Sequence, residues 1–140
     1  MSYDHGNVFA KILRGEIPSH KVYEDEHTLA FMDVMPRTDG HTLVIPKAAS
    51  RNLLDADPAV LGAVMASVQK VSNAVRKAFG AEGILVMQFN EPAAGQTVFH
   101  LHFHILPRNT DMPLKPEAGK MANQDILARH AEMIRAALAS

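Results

Sequence analysis

The sequence predicts an α+β fold: a five-stranded, largely antiparallel sheet with a short N-terminal helix, one long helix and a C-terminal helix. Three observations predict it. Five apolar segments separated by turn residues follow one another mostly in hairpin-like succession. Residues 58 to 79 carry the 3.6-residue apolar period of a helix. A second amphipathic stretch closes the chain, so helices are inserted among strands that need not run parallel.

Val8 to Leu13 places Val8, Phe9, Ile12 and Leu13 on one helical face and stops at Gly15, with Pro18 beyond. His20 to Glu24 and Thr28 to Val34 read as strands. In the second, Leu29, Phe31 and Asp33 share one face, and Ala30, Met32 and Val34 the other. Pro36 to Gly40 is a turn cluster, and His41 to Ile45 is a third strand stopped by Pro46. The long helix has Asp57 as its N-cap, Pro58 at its first position and Gly80 as its stop. Its stripe of Val60, Val64, Val68, Val71, Val75 and Phe79, widened by Leu61 and Met65, packs on the sheet or in part lines a dimer interface. Ile84 to Asn90 and Val98 to Leu106 are the last two strands, separated by a polar loop from 91 to 97. A long loop containing Pro113 and Pro116 runs to about Ala122, and loops of that length are functional or mobile. Asn123 to Leu138 is the final helix, with Ile126, Leu127, Ile134 and Leu138 apolar.

A chain of 140 residues is one domain's worth, read here as a single unit over 1–140. The 14 Lys and Arg balance 15 Asp and Glu, which argues against a nucleic-acid grip or a polybasic membrane surface. Without any Cys, disulfides, thiol catalysis and Cys-based zinc sites are excluded. No secretory signal and no spanning apolar run is visible, so a cytoplasmic location is expected.

Chemistry concentrates where three of the 8 His stand at alternate positions, His100, His102 and His104. On a strand these project from one face, while Leu101, Phe103 and Ile105 enter the core on the other. Three readings compete: half-exposed histidines with no shared role, a metal site with His41 or Asp33 as a further ligand, or nucleophilic catalysis by the middle imidazole. Just upstream, Gly95, Gln96 and Thr97 combine close backbone approach, a side-chain amide and a hydroxyl. That set suits a phosphate or a developing oxyanion, which a metal site would not need.

The run Gly95-Gln-Thr-Val-Phe-His-Leu-His-Phe-His-Ile-Leu106 resembles the signature of the histidine triad (HIT) family. Phe9 to Pro18, Leu29 to Asp33 and His41 to Lys47 are similar to family segments in the same order, so the resemblance covers about 7–108 and leaves 109–140 outside. It implies the HIT-like sheet, a homodimer in which two sheets join, and hydrolysis at the α-phosphate of a purine nucleoside 5′-phosphoramidate or related AMP conjugate. By resemblance His102 is the nucleophile, forming a covalent nucleotidyl-histidine without metal or other cofactor. His100 fixes its orientation, backed by His41. His104, Gln96 and Thr97 hydrogen-bond the phosphate or leaving group. Asp33 holds ribose hydroxyls, Phe9, Ile12, Ile17 and Phe31 line the purine slot, and Asn90 and Gly95 shape the phosphate loop. Alternatives are a dinucleoside polyphosphate hydrolase of the same family, a metal-dependent enzyme using the three-histidine strand, and a non-catalytic nucleotide-binding module. Some family members bind a structural zinc through a Cys-x-x-Cys pair and a later His. Here those positions are Asn7, Ala10 and Ala49, so that zinc is expected to be absent. Pro107-Arg108 resembles the dinucleoside polyphosphate hydrolase branch, whereas the N-terminal segments are closer to the phosphoramidase side.

Overall fold

The computed structural model describes residues 2–115 and 120–140, so Pro116 of the expected long loop lies outside them. Asn7 opens the first helix, α1 (Val8–Leu13), by accepting the Ala10 N–H on its side chain at 2.9 Å. The two positions at which the sequence resemblance looks for a Cys-x-x-Cys pair thus hold a capping amide and a methyl group. These residues do not fit a zinc ion.

The strands are β1 (Lys21–Glu24), β2 (Thr28–Met32), β3 (Thr42–Pro46), β4 (Gly83–Met87) and β5 (Phe103–Arg108), in the antiparallel order β1-β2-β3-β5-β4. The helices α2 (Pro58–Phe79) and α3 (Gln124–Ala139) complete the α+β fold that the sequence predicts. Asp57 caps α2 through the Ala59 N–H at 2.8 Å, and Gly80 ends it at φ +57°. Asn123 caps α3 rather than belonging to it.

Alternation along the strands divides the interior. Ala30, Met32, Val44, Phe103 and Ile105 face α2 and α3, meeting Val64, Val68, Val71, Val75, Leu127 and Ile134 in the larger core. Leu29, Phe31, Leu43 and Ile45 face the other way and pack with Phe9 of α1. Two residues of the expected helical stripes turn outward: Met65 is 49% exposed and Ile126 42%. Each lies about 100° around its helix from a buried neighbour, Val64 and Leu127. Gly40, at φ +86°, is obligatory. A Cβ there would sit 2.8 Å from the Phe79 ring, so the turn before β3 lies directly on the end of α2.

Among the strand boundaries that differ from expectation, three bear on the site, each where a side chain or a loop carbonyl takes over the hydrogen bonding. β2 stops at Met32, and the Asp33 side chain accepts the Met35 N–H at 2.9 Å. β4 stops at Met87, after which Gln88 and Asn90 bond each other at 2.8 and 2.9 Å. The largest difference is in β5, which starts at Phe103 and not at Val98. The Leu101 N–H leaves the sheet for the Ser50 carbonyl at 2.9 Å. His100 and His102 therefore precede the strand, and only His104 lies on it, although the alternation of Leu101, Phe103 and Ile105 into the core persists.

Beyond β5 the chain crosses back over the turn before β3. Lys115 N–H donates to the Arg37 carbonyl at 2.7 Å, Arg37 Nε donates to the Lys115 carbonyl at 3.0 Å, and Ala122 N–H donates to the Val34 carbonyl at 2.9 Å. Among the described residues no helix is long and apolar enough to cross a membrane.

Candidate active site

On the sheet face opposite α2 and α3 lies a cleft of about 510 Å³. Its apolar lining includes Phe9, Ile12, Ile17, Phe31 and Leu43, with Phe9 and Phe31 edge to face at 5.4 Å. Its polar lining includes Asp33, Arg37, His41, Thr97, His102 and His104, with Gly95, at φ +100°, also in the lining. Arg37, Met87 and Phe89 are lining residues that the sequence alone did not single out.

Fixed backbone groups determine where each imidazole carries its hydrogen. A backbone N–H can only donate and a carbonyl can only accept. The Arg37 N–H points at His41 Nδ1 at 3.1 Å, so that nitrogen is the acceptor and His41 carries its hydrogen on Nε2. His41 Nε2–H donates to His104 Nδ1 at 2.9 Å, leaving the His104 hydrogen on Nε2. His102 bonds the His100 carbonyl through Nδ1 at 2.7 Å, so Nδ1 carries the hydrogen and Nε2 keeps its lone pair. The rings of His102 and His104, 5.0 Å apart, thus have opposite tautomers beside one cleft: a free lone pair on one and an N–H donor on the other.

All these rings are held neutral. Burial, with help from Arg37 and His102, lowers His41 to about 4. Burial, and the cost of adding a positive charge beside His102, His41 and Arg37, lower His104 to about 3. Burial also lowers His102, against the hydrogen bond to the His100 carbonyl, which favours the charged ring. Asp33 is pushed up to about 6 by burial, opposed by the Met35 N–H, and its Oδ2 lies 3.5 Å from His41 Nε2.

His100 does not reach the cleft. It is fully buried, its Nε2–H donating to the Pro46 carbonyl at 2.8 Å and its Nδ1 accepting from the Tyr3 hydroxyl at 2.5 Å. What meets His102 is the backbone carbonyl of His100, not its ring, and His41 backs His104 rather than His100. The three alternating imidazoles therefore do not converge on one ion. Asp33, His41 and His104 do bring ligand atoms within 4.8 Å of one another. For His41 to ligate through Nε2, its hydrogen would have to move to Nδ1, facing the Arg37 N–H. This donor set suits the hydrogen-bond chain it forms better than a metal.

Gln96 and Asn90 also lie outside the cleft lining. Gln96 Oε1 accepts from the Glu91 N–H at 2.7 Å and Asn52 Nδ2 at 3.0 Å, while its Nε2 donates to the carbonyls of Arg51 at 2.8 Å and Val98 at 3.0 Å. The amide is spent inside the loop. Asn90 bonds Gln88 and the Leu53 N–H. Glu91, at φ +75°, is held by Arg51 through two bonds of 2.8 and 3.0 Å and by Asn52 at 2.6 Å. Sequence reasoning missed Arg51 and Asn52, since no spacing rule links a polar pair after β3 to a loop some forty residues on. What this clasp presents to the cleft is Gly95 and Thr97.

Residues 14–111 match the HIT domain family. A HIT-like protein involved in cell-cycle regulation from Bartonella henselae superposes with a TM-score of 0.91, at 56% identity over 97% of this chain and 99% of that one. A hypothetical histidine triad nucleotide-binding protein from Sulfolobus tokodaii gives a TM-score of 0.84 at 32% identity, covering 94% of this chain and 91% of that one. Adenylylsulfatase HINT3 of Arabidopsis thaliana is 44% identical over 101 residues, which are 72% of this chain but 51% of that protein, about half its length. With its sheet, its alternating histidines and this match over most of its length, the chain belongs to the HIT family.

Proposed function

We propose that this protein hydrolyses purine nucleoside 5′-phosphate conjugates, phosphoramidates or related AMP derivatives, through a nucleotidyl-His102 intermediate. The observation that carries the reading is the pair of opposite tautomers beside the cleft. The His102 Nε2 lone pair attacks the α-phosphorus, and the bond to the leaving group breaks. His102 keeps its Nδ1 hydrogen on the His100 carbonyl, which stabilises the positive charge the ring acquires. His104 Nε2–H, Thr97 and the backbone at Gly95 face the phosphate oxygens. Water then attacks the same phosphorus and frees both the nucleoside monophosphate and His102.

Phe9, Ile12, Ile17 and Phe31 take the base, and Asp33 the ribose hydroxyls. Gln96 and Asn90 serve by holding the loop, and the His100 ring by anchoring its own carbonyl. The names of the Sulfolobus and Arabidopsis relatives support a nucleotide ligand, and the second makes adenylyl sulfate a substrate to try. The chain acts as one unit over 1–140, in the cytoplasm and without a cofactor. Two copies join along β4, a sheet edge that among the described residues pairs only with β5 and carries Val86 44% exposed.

Intact mass seconds after mixing with adenosine 5′-phosphoramidate, with and without chelator, tests the chemistry. An adenylyl adduct that survives chelator and is missing in His102→Ala is the expected result. AMP binding without adduct or turnover would instead favour a nucleotide-binding module.

A further inference from the structure

We infer that Tyr3 is a positioning residue for His102, acting through His100. The inference rests on the reading of His102 as nucleophile and adds a residue that lies outside both the cleft and the family match.

His100 is buried, so both of its ring nitrogens need partners within the protein. The Pro46 carbonyl takes the hydrogen on Nε2, which obliges Nδ1 to accept. The Tyr3 hydroxyl is the donor that meets it, at 2.5 Å, and the two rings lie edge to face at 5.6 Å. Turning the imidazole over would place carbon atoms at both contacts, so the ring has one orientation only. The next residue is tied as well, Leu101 N–H to the Ser50 carbonyl at 2.9 Å. The His100 carbonyl is therefore fixed from its side chain and from the following peptide, and this carbonyl holds His102 Nδ1–H at 2.7 Å. Tyr3 itself is half-buried and anchored through its neighbour, since Arg51 donates to the Ser2 carbonyl at 3.3 Å. Without the hydroxyl, His100 Nδ1 is a buried acceptor with no donor, and the cheapest relief is a movement of the ring that carries the carbonyl away from His102.

The test uses the full chain labelled with nitrogen-15. In the unmodified protein, imidazole nitrogen spectra should show single tautomers, hydrogen on Nε2 for His100 and on Nδ1 for His102. Tyr3→Phe should turn the His102 signals into a tautomer mixture and slow adduct formation from adenosine 5′-phosphoramidate about tenfold. AMP affinity should stay the same. Tyr3→Ala provides a second check: added phenol should restore the rate and benzene should not. An unaltered His102 tautomer and rate in Tyr3→Phe would overturn the inference. So would a rate loss matched by an equal loss of AMP affinity, or equal rescue by phenol and benzene. If the unmodified protein forms no adduct, the hydrolase reading fails, while the tautomer comparison still decides the link from Tyr3 to His102.

Discussion

Beneath α2 and α3 the sheet presents Ala30, Val44, Phe103 and Ile105. One residue away along the same strands, on the opposite face, it presents Phe31, Leu43 and His104. The first face is held by burial, which is non-directional and tolerates exchanges that conserve volume. The second joins a smaller apolar cluster, Phe31 and Leu43 with Phe9, to a chain of single hydrogen bonds running from backbone groups through imidazoles, where moving one hydrogen inverts the chemistry of a ring. Disturbing the first face should cost stability and spare the tautomers. Disturbing the hydrogen-bond chain of the second should cost chemistry far more than stability.

The sharpest break in this contrast is His102→Ala. It should lower adduct formation by at least about 10⁴-fold, as removal of a catalytic nucleophile does, and cost less stability than a truncation in the larger core, because the ring borders the cleft. Ile134→Ala, in the larger core and fully buried, should do the reverse. Urea unfolding should lose about 2–5 kcal/mol while the rate per folded molecule is unchanged. His104→Ala removes one donor to developing phosphate charge and should cost about 10²–10³-fold in turnover, measured under single-turnover conditions. A stability loss as large as that of Ile134→Ala would erase the distinction between the faces.

Acidity sharpens it further. The folded values for His41 and His100 lie at about 4 and for His104 at about 3. An unfolded imidazole titrates near 6.5. Above that value neither state binds these protons. As the pH falls below it, the unfolded chain takes up protons that the folded chain refuses, so stability is lost. Asp33, raised to about 6, opposes this, because the folded carboxyl binds its proton first. Three imidazoles against one carboxyl should leave a net loss of about 1–2 kcal/mol between pH 7 and pH 6. A denaturant midpoint that stays level or rises over that interval would refute the neutral imidazole chain.

Much of the first face was legible in the sequence. The α2 stripe, its Asp57 cap and its Gly80 stop all follow from periodicity and capping chemistry. The adjacent apolar residues Ile126 and Leu127 of α3 do not say by themselves which of them faces inward; Leu127 does. The second face was legible as a list of residues and not as an arrangement. Alternation puts Leu101, Phe103 and Ile105 in the core, yet it cannot show that the Leu101 N–H leaves the sheet for Ser50. Spacing places Gln96 beside the histidines, but only its four partners reveal that the amide is used up within the loop. Tautomers depend on contacts such as Arg37 N–H to His41, which no period of 2 or 3.6 encodes.

Lys115 and Ala122, between β5 and α3, give the boundaries of the working unit a different meaning from those of the family match. Residues 14–111 contain the histidines, but not Lys115 and Ala122, which clasp the turn bearing Arg37, nor Phe9 in the cleft wall. A relative could share every triad residue and still place the His41 hydrogen differently, if its tail took another path across that turn. Transfer of function between such proteins is therefore better judged by where the tail crosses than by whether the motif is intact.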